Sequence, residues 1–181
     1  MPLLVGIYER QEGTLQALFE KLWTPLGLRV QTGMDIWWDR GTLYALNGAS
    51  PAGGIEIAMK HLQEYSQSRL LGAHVPYPIE AWPENNQAHL AAESALYCRI
   101  FIEGLFGSQP AGLRAFTSKP AMPNDWQRMV LRNIHGFGQK FDLLVERINQ
   151  RLHITLIREG HFDQKQLIPE GRLAKFSLTF K

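Results

Sequence analysis

Two short words of this sequence hold most of the residues able to act on a ligand. The first contains Trp37, Trp38, Asp39 and Arg40, and the second contains Tyr77, Glu80, Trp82, Glu84, His89 and Glu93. Flat indole and phenol rings pack on the apolar faces of a pyranose, while Asp, Glu, Arg and Asn bond its hydroxyls, so the mixture suits a saccharide. Hydrolysis of a glycosidic bond usually needs two carboxyl groups. One is protonated and gives the leaving oxygen its proton; the other is ionised and activates water or attacks directly. Glu80 stands between Pro78 and Pro83, in a non-helical connection that enters an apolar helix. Loops fixed by rigid elements are where catalytic groups tend to sit, which makes Glu80 the first candidate for chemistry and Glu84 the alternative.

Each residue also has a plainer reading. Tryptophans are often large core residues, and Glu84 in the word PENN also reads as a solvated turn residue. Asp39-Arg40 also reads as a local ion pair or as the N-cap of a helix. His89 and Glu93 share a helix face at i,i+4 spacing, as two metal ligands would, but no third ligand is evident and neither a metal nor another cofactor is expected. Glu93 and Glu103 lie on a nearly all-apolar helix, where an ionised carboxylate must find a partner or titrate, and Arg99 is spaced to pair with Glu103.

The elements that position these residues change character near Gly107. Before it, Leu15, Leu18, Phe19 and Leu22, then Ile55, Ala58, Met59, Leu62 and Tyr65, recur at helical spacing. Between them WDRGTLYALNG reads as a shorter helix ended by Asn47-Gly48, and Ser50-Pro51 reads as the start of the next. A fourth helix, roughly 87–106, is apolar on nearly every side and is expected to be buried all round. After Gly107 the period is two. Phe141, Leu143 and Val145 alternate with polar residues, as do Leu152, Ile154 and Leu156, with Asn149-Gln150 as the turn between them. Phe176, Leu178 and Phe180, Met129 to Ile134, and Leu113 to Thr117 are further strands. The expected fold class is α+β, with a helical region over 1–106 and an antiparallel β domain, a sandwich or half of one, over 107–181.

Composition narrows the partners. Hydrophobic residues make up 45% and charged residues 20%, as in an ordered globular chain. Nineteen Lys and Arg against seventeen Asp and Glu give a net charge of +2, with no run of like charge, so nucleic acid is not an expected partner. Cys98 is the sole cysteine; it allows no internal disulfide and reads as a buried small hydrophobe. The opening MPLLVGIYERQEG is too short in apolar residues for a signal-peptide core, and no apolar stretch of about 18 residues follows. The chain as given is expected to be soluble and cytoplasmic, without a membrane partner, its wider compartment left open.

The words WWDRGTLYAL, RLLGAHVPYPIEAWPENNQAHLAAESALYCRIFIEGLFG and PAMPNDWQRMVLRNIHGFGQKFDLLVER, which span Trp37 to Arg147, resemble the six-hairpin glycosidases, the (α/α)6-barrel glycoside hydrolases. Glu80-Ala81-Trp82 resembles the Glu-x-Trp or Glu-x-Tyr that carries the general base near the end of such barrels. In the glucoamylases of this superfamily a Leu that starts a buried helix follows ten positions later, where Leu90 stands here. The resemblance implies an inverting mechanism in which the base deprotonates the attacking water, with the two carboxyls about 6.5 to 9.5 Å apart. It also implies a β-sandwich after the barrel. Substrate contacts are expected from Trp37, Trp38, Asp39, Arg40, Tyr77, Trp82, His89 and Glu93, with Glu84 as a further hydroxyl contact.

Twelve helices would need about 190 residues at ordinary helix and loop lengths. About 106 residues precede the strands here, so the expected structure is a partial toroid of the last barrel helices, and the general acid, which such enzymes carry well upstream, is expected outside this chain. Association with a missing N-terminal barrel portion follows. The competing expectations are a non-catalytic carbohydrate-binding or interaction protein and an inactive gene remnant.

Overall fold

The structure is a computed structural model that describes residues 2–71, 77–82 and 91–178. The chain is α+β and divides into two compact units, Met1–Gly104 and Leu105–Lys181. Among the described residues the first unit holds four α-helices: α1 (Gln11–Ala17), α2 (Asp39–Ala49), α3 (Ile55–Tyr65) and α4 (Ala91–Arg99). Helices α1, α3 and α4 run on into wider, π-type turns at Leu18–Leu22, Ser66–Leu70 and Ile100–Leu105. Strands β1 (Trp23–Thr24) and β2 (Gly27–Leu28) form one short ribbon, β3 (Trp37–Trp38) and β4 (Ala81–Trp82) another, and no closed barrel forms among the described residues. The apolar stripes of α2, α3 and α4 meet in one cluster: Leu43, Leu46 and Ala49 from α2, Ala58, Leu62 and Tyr65 from α3, and Leu96 and Ile100 at α4. Among the described residues no helix is long and apolar enough to cross a membrane.

Three local expectations for the first unit are corrected. Asn47-Gly48 does not end α2, which runs to Ala49. Gly48 is needed inside the helix because the N-terminal 3-10 turn Pro2–Val5 crosses it so closely that a Cβ there would lie 2.9 Å from the Leu4 backbone nitrogen. Ser50 caps no following helix: its hydroxyl donates back to the Leu46 carbonyl at the end of α2, and α3 begins only after Gly54. Helix α4 is not buried all round. Glu93, Leu96 and Ile100 form its covered side, while Ala95 and Cys98 are exposed, so Cys98 is not a core residue.

The second unit contains β5 (Ser108–Gly112), β6 (Ala115–Ser118), β7 (Arg128–Gly136), β8 (Gln139–Ile148), β9 (Arg151–Arg158), β10 (His161–Pro169) and β11 (Ala174–Ser177). They form a four-stranded sheet ordered β10-β9-β8-β7 and a three-stranded sheet ordered β11-β6-β5, antiparallel throughout. Leu113 to Thr117 is not one strand; the chain turns at Leu113, which is almost wholly exposed, between β5 and β6. The inward residues read at period two are buried: Phe141, Leu143 and Val145 on β8, Leu152, Ile154 and Leu156 on β9, and Phe176 on β11. Phe116 of the smaller sheet stacks on Phe141 of the larger, with ring centroids 5.4 Å apart, and on Phe176 at 5.2 Å. Gln164 and Gln166 of β10 donate side-chain amides to the Ser177 and Lys175 carbonyls of β11, which satisfies backbone groups at that strand's open edge.

Candidate functional site

The ribbon β3–β4 joins the two words in which the candidate residues cluster. Trp37 pairs with Trp82 and Trp38 with Ala81, and the ladder continues with the Asp39 N–H donating to the Glu80 carbonyl at 3.0 Å. The Asp39 side chain then turns inward, where only 1% of the residue is exposed. Its Oδ2 accepts the Ile79 N–H at 3.2 Å and the Tyr65 hydroxyl at 3.2 Å, and its Oδ1 lies 3.6 Å from Nε of Arg69, itself 3% exposed. Arg69 also donates to the Leu26 carbonyl at 3.1 Å and lies 4.9 Å above the Trp82 ring. As the first residue of α2, the Asp39 carboxylate also meets the positive end of the helix dipole. One buried acid thus holds the backbone on both flanks of Glu80, while Glu80 itself is exposed.

Arg40, the next residue of α2, reaches to α4. Its Nε donates to Oε1 of Glu93 at 2.5 Å, and Glu93 has no exposed surface. The hydrogen bond and charge of Glu93 hold the Arg40 guanidinium above its usual range, and the charge of Glu80 adds to the effect. Glu93 has therefore found the partner that its burial demands; its second oxygen, Oε2, is buried without a hydrogen bond among the described residues. The Asp39 and Arg40 side chains instead pair with Arg69 and Glu93, far away in sequence, and no side-chain cap hydrogen bond opens α2. Arg99 and Glu103 do pair, through two hydrogen bonds of 2.7 and 2.8 Å.

The four aromatics differ in what they can offer. Trp38 exposes more than a third of its surface. Trp37 is half-buried, with its indole N–H donating to Thr24 Oγ1 at 2.7 Å and the Arg29 guanidinium 5.9 Å above its ring. Trp82 and Tyr77 are half-buried as well. Glu84 and His89 lie outside the described residues. Among the described residues no group of three His, Cys, Asp or Glu is placed to hold a metal ion.

No family model, curated protein or solved structure matches the chain. The site's own geometry offers an exposed carboxylate on an anchored segment, a fixed cation within reach of its field, and an exposed indole one ladder step away. Such a carboxylate can take a proton from water, and such a ring can support the apolar face of a sugar.

Sequence reasoning missed Tyr65 and Arg69. Tyr65 entered only as one member of an apolar stripe, yet Arg69 follows it at i+4 on the same face, and that spacing was the available signal. Burial, reinforced by the Asp39 charge and hydrogen bond, raises the Tyr65 phenol well above its ordinary pKa. Below about pH 10 the phenol is neutral in both folded and unfolded chains, and its contribution is whole. As pH rises above that, only the unfolded chain ionises, and stability falls by up to about 1.4 kcal/mol per pH unit until the folded phenol titrates. Tyr65→Phe should lose about 1.5 kcal/mol at neutral pH, for a hydrogen bond to a charged acceptor, and should decline less steeply than the parent above about pH 10. Urea midpoints followed by tryptophan fluorescence at neutral and alkaline pH give the comparison, and parallel pH curves would reject the assignment.

Proposed function

We propose that this chain is the C-terminal part of an inverting glycoside hydrolase of the six-hairpin kind. It would supply the last helices of a partial (α/α)6 toroid, the base-bearing loop and a closing β-sandwich. The observation that carries the reading is the β3–β4 ribbon, which anchors both flanks of Glu80 and leaves its carboxylate exposed beside Trp38 and Arg40. Glu80 is the general base, Trp38 the foremost sugar platform, and Trp37, Tyr77 and Trp82 the surrounding aromatic wall. Asp39 and Glu93 are each held by a buried or half-buried arginine, so neither side chain is placed to serve as the general acid. The general acid belongs to a barrel portion outside this chain, and association with that portion would cover apolar side chains that the first unit exposes, Val5, Ile7 and Ile57 among them.

The test is to express the chain with any in-frame upstream coding sequence, assay aryl glycosides and polysaccharides, and change Glu80→Gln. Loss of a general base should lower kcat by about 100-fold or more. Activity within about tenfold of the parent would overturn the base assignment. A second reading, sugar binding without cleavage, is favoured by the same two arginine-paired carboxylates, Asp39 and Glu93. It predicts that soluble glycans change the fluorescence of the Trp38 region while the intact gene product turns none of them over.

A further inference from the structure

At one end of the four-stranded sheet two hairpin tips stand side by side, Phe137-Gly138 between β7 and β8 and Glu159-Gly160 between β9 and β10. Both are two-residue turns with positive φ throughout, 56° and 71° in the first and 52° and 79° in the second, the geometry that matches the twist of paired strands. A cavity of about 470 Å³ opens there, lined by Gln139, Lys140, Arg158, His161, Phe162 and Asp163 among others. That volume is within the range of small-ligand pockets.

Three features give the cavity a chemistry. The pairing of β10 with β9 slips between Phe162 and Gln164, so Asp163 is the extra residue of a bulge, a device that re-aims side chains. The Asp163 carboxylate accepts from Arg158 Nη2 at 2.5 Å, and the Gln139 side-chain carbonyl accepts from Arg158 Nη1 at 2.8 Å, so β8, β9 and β10 share one fixed polar frame. Phe162, at the rim, is 82% exposed. A lone exposed aromatic is ordinary; one set beside a fixed polar frame in a concave site is a platform. The charges decide the ligand class. Lys140 and Arg158 offset Glu159 and Asp163 in formal charge, so the lining has no strong field to draw phosphate or nucleic acid. A neutral, polyhydroxylated ligand with an apolar face fits both the ring and the mixed donors and acceptors.

We propose that this cavity is a saccharide-binding site, with the Phe162 ring packed on the face of a pyranose and the Arg158–Gln139–Asp163 frame bonding its hydroxyls. It lies wholly in the second unit and needs no turnover, so it stands or falls apart from Glu80.

The experiment titrates the full chain with maltohexaose, cellohexaose and xylohexaose up to about 10 mM, where a millimolar Kd would saturate, and follows backbone amide shifts by NMR. The expected result is saturable shifts at residues 138–140 and 158–163 with at least one of these sugars, weakened about tenfold or more by Phe162→Ala. Phe162 is exposed enough that the variant should fold, and an unchanged amide spectrum away from the cavity checks this. Gln139→Ala, which loosens the frame and leaves the ring, should weaken the same shifts. Three results would each overturn the proposal: no shifts at these residues with any of the sugars, shifts that survive Phe162→Ala unchanged, or shifts confined to residues 37–40 and 77–82.

Discussion

Asp39→Ala should destabilise the first unit by about 3–5 kcal/mol, the cost of leaving one partner of a buried ion pair behind. Arg69 is 3% exposed and would keep its charge with no carboxylate 3.6 Å away; the Ile79 N–H and the Tyr65 hydroxyl would each lose their acceptor in a region closed to water. The loss should show as a lower urea midpoint for the fluorescence of Trp37, Trp38 and Trp82, which share the ribbon that Asp39 holds. Asp39→Asn keeps an acceptor and loses the charge, so it should fall between the parent and the alanine variant. The double variant Asp39→Ala, Arg69→Met removes the stranded charge and should recover part of the loss; a double loss equal to the sum of the two single losses would refute the coupling. The magnitude bears on function because the same carboxylate fixes Ile79. A segment released at Ile79 no longer presents Glu80 in one place, so a variant that still folds at low temperature should lose turnover even with Glu80 intact.

The placement of Asp39 also marks the limit of what the sequence discloses. Strands β7, β8, β9 and β11 of the second unit were legible because their signals are local, whereas β5 and β10 carry no such alternation and were not read, and β6 starts two residues later than the reading placed it. Phe141, Leu143 and Val145 alternate on one strand, and Asn149 and Gln150 adopt φ of 50° and 60°, as a two-residue turn between such strands requires. The helical stripes were legible for the same reason, and their members pack into two buried clusters, one around Leu62 and Tyr65 and one around Leu18. Three features depend on contacts far apart in the chain. Gly48 looked like a helix end, because the backbone at Leu3 and Leu4 that crosses it is more than forty residues away. Cys98 looked buried because its neighbours are apolar, but which side of α4 is covered is decided by α2 and α3. Asp39 and Arg40 read as a local ion pair or an N-cap, yet their side chains reach Arg69 and Glu93, which are distant in sequence. The two words of the candidate site were both visible in the sequence. The ladder that joins Trp37 to Trp82, and so makes them one site, was not.

Gly107→Ala should be the most damaging single-methyl change in the second unit, at about 3 kcal/mol or more. Gly107 has φ of +56°, and a Cβ there would lie 2.1 Å from the Lys119 carbonyl oxygen and 2.6 Å from its carbon. Both are backbone atoms, so no side chain can rotate away. The Lys119 N–H donates to the Gly107 carbonyl at 3.1 Å, and the pairing of Ser108 with Ser118 starts one residue later, so relief of the clash opens the root of the β5–β6 hairpin. That hairpin carries Phe116, whose stack on Phe141 and Phe176 joins the two sheets. The control is Gly160→Ala, also at positive φ, 79°, but with nothing within 4 Å of the added methyl. It should cost only the left-handed conformation, about 1 kcal/mol. Amide exchange at β6 and β11 would measure both variants. Equal losses would mean that backbone conformation accounts for the glycine at 107, and a threefold or greater excess at Gly107 would mean that the approach of Lys119 does.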